Sequence, residues 1–148
     1  MKITLKNFTV AILSMATIIM LVFIQSCKTD DPTISEVDQV ATLLKGNSWK
    51  MQNVTVNGTD KTSDYTGFTL SFTATNYTTT NGGVVWPSSG TWTFADETGK
   101  VITRSDDVII NLEEITATKL SLKLNWAKTT LGGRTTSVAG NHIFVFNR

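Results

Sequence analysis

Leu120-Ser121-Leu122-Lys123-Leu124-Asn125-Trp126 alternates large apolar side chains with polar ones without a break. A period of two sends successive side chains to opposite faces of an extended chain, so this stretch is a strand with one face in a core and one in water. The same period runs outward in both directions. Upstream, Phe68, Leu70 and Phe72 alternate with Thr69, Ser71 and Thr73, and further strands are predicted at Trp49 to Val56, Asn76 to Asn81, Thr91 to Phe94, Lys100 to Arg104 and Val108 to Glu113. Downstream, His142 to Asn147 closes the series. Gly82-Gly83, Gly90, Asp96-Glu97-Thr98-Gly99 and Ser105-Asp106-Asp107 supply tight turns, and the Gly/Thr-rich stretch from Ala127 to Asn141 is the long connection. Eight strands joined mostly by short turns are antiparallel neighbours, and an open sheet of that size leaves two unpaired edges. Closure into an all-β, eight-stranded antiparallel up-and-down barrel removes both edges. A two-sheet β-sandwich is the alternative, but its Greek-key crossings need more long connections than this chain has.

With the apolar faces turned inward, sixteen side chains enter the lumen, from Trp49, Met51, Phe68 and Leu70 to Phe144 and Phe146. A barrel of eight strands is filled by its own side chains or holds one small ligand. In the tighter parallel version about twelve side chains make a solid core. The lumen is therefore expected to be filled or nearly so, with an apolar cavity as the other outcome.

A helix precedes the strands. Thr33-Ile34-Ser35-Glu36 reads as a capping box with Thr33 as N-cap, and Ile34, Val37, Ala41 and Leu44 form one apolar stripe that ends at Gly46. An isolated helix of about three turns is marginal in water, so its stripe must dock on the sheet. Ile143 and Val145, apolar on the outer side of the last strand, are the expected seat.

The N-terminus is of another kind. Lys2 and Lys6 precede an uncharged run from Phe8 to Ile24, the pattern of an export signal. Ile24-Gln25-Ser26-Cys27 at the end of that run resembles the lipobox of bacterial lipoproteins. The resemblance implies lipidation of Cys27 and cleavage after Ser26, giving a signal peptide at 1–26, a lipidated tether at 27–32 and a folded domain at 33–148. An uncleaved signal anchor is the plainer alternative, although the apolar run falls slightly short of the roughly 20 residues of a membrane span. Asp30 and Asp31 resemble the acidic tag that sends some lipoproteins to the cell surface, and read equally well as a solvated linker. Lys28 after the cysteine departs from the inner-membrane retention signal, so an outer-membrane, lipid-anchored location is expected, on the periplasmic face or the cell surface.

The remaining composition narrows the function. The chain has 13 basic and 12 acidic residues; losing Lys2 and Lys6 leaves 11 against 12, a mature charge near −1. No basic face predicts nucleic-acid binding. Cys27 is the only cysteine, so no disulfide forms within the chain.

Gly46-Asn47-Ser48-Trp49, after a short helix and opening the first strand, resembles the glycine and tryptophan signature at the start of lipocalin barrels. The region from about Leu44 to Arg148 is similar to the lipocalin-like domains of bacterial lipoproteins. The spacing here is Gly-x-x-Trp where the family has Gly-x-Trp. In that family a basic residue from near the end of the barrel packs across the tryptophan, a place the resemblance gives to Arg148. It implies a binding protein for a small apolar molecule, with Tyr77, Trp86 and Trp126 as candidate ligand contacts in the lumen or at its mouth. Val84-Val85-Trp86-Pro87 and Leu131 lie in loops, and the alternative function is an interaction module with a filled core that binds an envelope protein or a glycan through them. Trp86 folding back to plug the barrel is the structural alternative for that residue.

Catalytic signals are thin, and no enzyme is expected. His142 is the only histidine, which leaves no second His or Cys for a metal site or triad, and no cofactor is expected. Asp106-Asp107 and Glu113-Glu114 read as turn acids, since neighbours on a strand face opposite ways and cannot flank one bond.

Overall fold

The computed structural model describes residues 34–46, 48–127 and 139–148. The chain runs as α1 (Glu36–Leu44), β1 (Trp49–Val56), β2 (Thr59–Asp60), a 3-10 turn (Thr62–Tyr65), β3 (Thr69–Phe72), β4 (Asn76–Thr80), β5 (Ser89–Phe94), β6 (Val101–Arg104), β7 (Ile109–Ile115), β8 (Lys119–Trp126) and β9 (Gly140–Asn147). From β3 to β9 each strand pairs antiparallel with the next. β1 then closes the ring, pairing with β3 on one side and with β9 on the other. The result is an eight-stranded antiparallel barrel, and the sandwich is excluded because pairing is continuous around it. β2 is a short arm folded back on the end of β1 through the two-residue turn Asn57-Gly58, both at positive φ. Asn-Gly is the strongest short hairpin signal, because both residues tolerate the left-handed conformation such a turn demands.

The interior is aromatic and close-packed. Phe68 lies at the centre of a cluster with Tyr65, Trp86, Phe144 and Phe146, at ring separations of 5.3–6.1 Å. Leu70, Ile102, Ile110, Leu120, Leu122 and Leu124 fill the wall between them, all buried. Each such side chain contributes roughly 1.5–3 kcal/mol by leaving water. Fourteen of the sixteen side chains expected in the lumen are buried; Met51 and Phe94 are half-buried against the same core. The filled lumen is thus the outcome the sequence count favours.

Two bulges alter the simple alternation. In β1 the register slips between Met51 and Asn53, so the inward parity changes and Val54, not Asn53 or Thr55, is fully buried. In β7 it slips between Leu112 and Glu114. Glu113 and Glu114 therefore sit on a strand and not in a turn, both facing solvent, near Lys123 (3.9 Å) and Lys119 (2.7 Å) respectively.

α1 also differs from expectation. Its N-cap is Ser35, whose Oγ accepts from the Asp38 amide (3.1 Å) and donates to the Asp38 carboxylate (2.7 Å). The box is thus one of Ser35 and Asp38, two residues later than predicted; Thr33 lies outside the described residues. Ile34 precedes the helix and is exposed, so the working stripe is Val37, Val40, Ala41 and Leu44. That stripe does not lie on Ile143 and Val145. Val37 and Val40 cover Gly99 in the β5–β6 turn, where a Cβ would stand 3.1 Å from that of Val40, and the helix also touches β7. α1 thus caps one end of the barrel instead of flanking its wall, leaving Ile143 37% exposed.

Candidate functional site

The helix end is closed by the residues of the sequence signature. Gly46, at φ +100°, turns the chain from α1 into β1. Trp49 is fully buried, and its Nε1–H donates to the Leu44 carbonyl (3.1 Å). Arg148 lies across the indole with its guanidinium carbon 4.0 Å from the ring centroid. Its nitrogens donate to the carbonyls of Leu43 (2.5 Å), Lys45 (2.9 Å) and Ala117 (3.3 Å). This end is a lock made of backbone acceptors and one planar cation.

The opposite end carries the β4–β5 loop, the β6–β7 turn and the last residue of β8. Strand alternation in β6 turns Ile102 and Arg104 inward, and Arg104 is only 2% exposed. A buried cation must be paired and hydrogen-bonded. Asp106, two residues on, turns back to meet it as a fork: Arg104 Nε–H donates to Oδ1 (3.0 Å) and Nη2–H to Oδ2 (2.7 Å). Nη1–H donates to the Val85 carbonyl (2.7 Å), tying the β4–β5 loop to the β6–β7 turn. The guanidinium carbon lies 4.9 Å from the Trp86 ring, 5.7 Å from that of Tyr77 and 6.0 Å from that of Trp126.

The three side chains singled out as ligand contacts therefore do come together, around an arginine that the sequence reading passed over. They do not display themselves to solvent. Trp86 is 1% exposed and packs on Phe68, Tyr77 and Phe144, so the loop plugs the barrel and does not offer this ring to a partner. Close approach requires glycine at two points: a Cβ on Gly82 would sit 2.5 Å from that of Trp86, and one on Gly90 would sit 2.6 Å from the Tyr77 hydroxyl. Burial pushes Tyr77 above the usual phenol range, with Arg104 opposing and Asp106 adding to the rise. Tyr65 is pushed up to about 12, by burial and then by Asp64.

His142 belongs to the same half of the lumen. It is fully buried and stacks on Phe144 at 5.6 Å. Its Nδ1 lies 3.1 Å from the Gly140 carbonyl, which makes that nitrogen the protonated one, and burial lowers its pKa despite this bond. Its Nε2 and the Trp86 Nε1 find no hydrogen-bond partner among the described residues.

At the rim, a pocket of about 440 Å³ is lined by Asp106, Asp107, Val108, Ile109, Asn125, Trp126 and Ala127. Its floor is fixed by the β6–β7 turn, in which the Asp107 amide donates to Arg104 O and the Arg104 amide to Val108 O, both at 3.0 Å. Asp107 takes φ +65°, a conformation that aspartate tolerates better than most residues. Of the proposed contacts, Trp126 lines this pocket; Tyr77 and Trp86 support it from behind Arg104. Cys27 and Leu131 lie outside the described residues. Among the described residues no cluster of three or more His, Asp or Glu side chains is placed to hold a metal ion.

No protein-family model matches this chain, and no curated protein matches it.

Proposed function

We propose that this is a lipid-anchored, lipocalin-like lipoprotein of the bacterial outer membrane that binds a small molecule with an apolar face at the rim of its barrel, without catalysing a reaction on it. The observation that carries the reading is the rim pocket, whose volume falls within the range of small-molecule sites and whose wall is formed by Val108, Ile109, Trp126 and Ala127. Because the lumen is packed, the ligand sits at the mouth and not in the centre. Support for the lipocalin-like reading comes from the closed barrel and from Arg148 lying across Trp49. Support for the anchor comes from the stretch Ile24-Gln25-Ser26-Cys27 at the end of the uncharged run.

The full-length chain in phospholipid nanodiscs should bind an apolar fluorescent dye above the level taken up by empty nanodiscs, and Trp126→Ala should weaken that binding. Equal uptake with and without protein would overturn the ligand-binding role. The anchor is tested separately: radiolabelled palmitate should enter the wild-type chain and not Cys27→Ser.

A further inference from the structure

We infer that the rim pocket takes a neutral polyhydroxylated ring, a saccharide unit, an inference that rests on the proposed binding role and names its ligand class. The polar side-chain groups that face the pocket are mostly acceptors: the carboxylates of Asp106 and Asp107 and the carboxamide oxygen of Asn125. Of the two side-chain donors in the lining, Asn125 Nδ2 already donates to Asn141 Oδ1 at 3.0 Å, and the indole nitrogen of Trp126 is buried. A pocket of acceptors selects a ligand that brings its own hydroxyl protons. The rest of the lining is apolar, with Ile109 57% exposed beside Val108, Trp126 and Ala127. A ring with hydroxyls at its edge and C–H groups on its face matches both kinds of surface at once.

Asp106 is also held in place before any ligand arrives. Arg104 pins it through two hydrogen bonds, and the left-handed turn sets the backbone from which Asp107 projects, its carboxylate exposed and without a partner among the described residues. Preorganised groups lose little freedom on binding. An ammonium ligand fits less well: Arg104 already balances Asp106, and a pair made with the exposed Asp107 alone is screened by water.

The full-length chain in nanodiscs, titrated calorimetrically with a panel of neutral mono- and disaccharides, should bind at least one, and that sugar should displace the apolar dye. Asp107→Gly suits the left-handed backbone and removes the carboxylate; it should weaken the sugar about tenfold, while Asp107→Asn, which keeps an acceptor, should weaken it only about threefold. Circular dichroism should show both variants folded. Dye binding with no sugar able to compete would overturn the saccharide reading and leave the binding role standing. So would tight binding of an alkylammonium that both Asp107 variants abolish equally. Failure of dye and sugars alike would remove the binding role itself and this inference with it.

Discussion

Arg104 shows how one buried charge organises its surroundings. Removing Asp106 would leave the guanidinium desolvated and short of two acceptors, so Asp106→Ala should cost about 3 kcal/mol or more in urea denaturation. Arg104→Met combined with Asp106→Ala should cost less than the Asp106 change alone, because no charge is then stranded; a double mutant worse than the single would refute this account. His142 makes a second test, through pH. Burial lowers its pKa, so the unfolded chain takes up a proton near pH 6.5 that the folded chain refuses. Stability is complete above that pH and declines as the pH drops below it, by up to about 1.4 kcal/mol per unit. His142→Phe should flatten the change in urea midpoint between pH 7 and 5.5; parallel curves for the two proteins would contradict the assignment. Neither residue was legible as a core member in the sequence. Alternation places position 104 inward, but a lone arginine at a strand end reads as solvated until its carboxylate and three aromatic rings are brought to it from other elements.

At the level of elements, the β4–β5 loop is the least expected part. A Val-Val-Trp-Pro run between turn glycines fits a displayed patch and a plug equally well, and what decides is the Gly82 approach and the Arg104 bond to Val85. Gly82→Ala would press a methyl against the Trp86 Cβ, so it should destabilise the fold by about 1–3 kcal/mol and shift tryptophan emission to longer wavelength. Trp86→Ala should cost about 3–5 kcal/mol, whereas a ring displayed for partners would leave the melting temperature unchanged. Most strands were readable because period-two alternation survives any tertiary context in which one face is buried. The bulges in β1 and β7 were not, since an extra residue leaves composition untouched and changes only phase. β2 did carry a local signal, Asn57-Gly58. The helix seat was misplaced because an apolar stripe says that something is covered without saying what, and the barrel end offered Gly99 where the outer wall offered Ile143.

For the whole molecule, the ring shape followed from turn lengths, and closure rests on the pairing of β1 with β9, in which Lys50 meets Asn147 and Val56 meets His142. Removing residues 142–148 should therefore abolish cooperative unfolding and produce aggregates in size-exclusion chromatography, because β8 and β1 would both lose a partner. A soluble, two-state truncated chain would show that β9 is dispensable. The rim pocket was legible only in part: Trp126 and the Asp106-Asp107 pair stood out as residues, but their meeting depends on β6, β7 and β8 being neighbours in the wall.

The same first-to-last pairing governs how such a polypeptide comes into being. A nascent or threading chain emerges from its N-terminal side, so the opening strand waits for its mate through the delivery of nearly the whole domain. During that wait two bare margins face the surroundings, each able to recruit a stranger. Any helper that shields them has the interval before the final strand arrives in which to act, and a polypeptide that stalls there is committed to neither monomer nor aggregate until it is finished or destroyed.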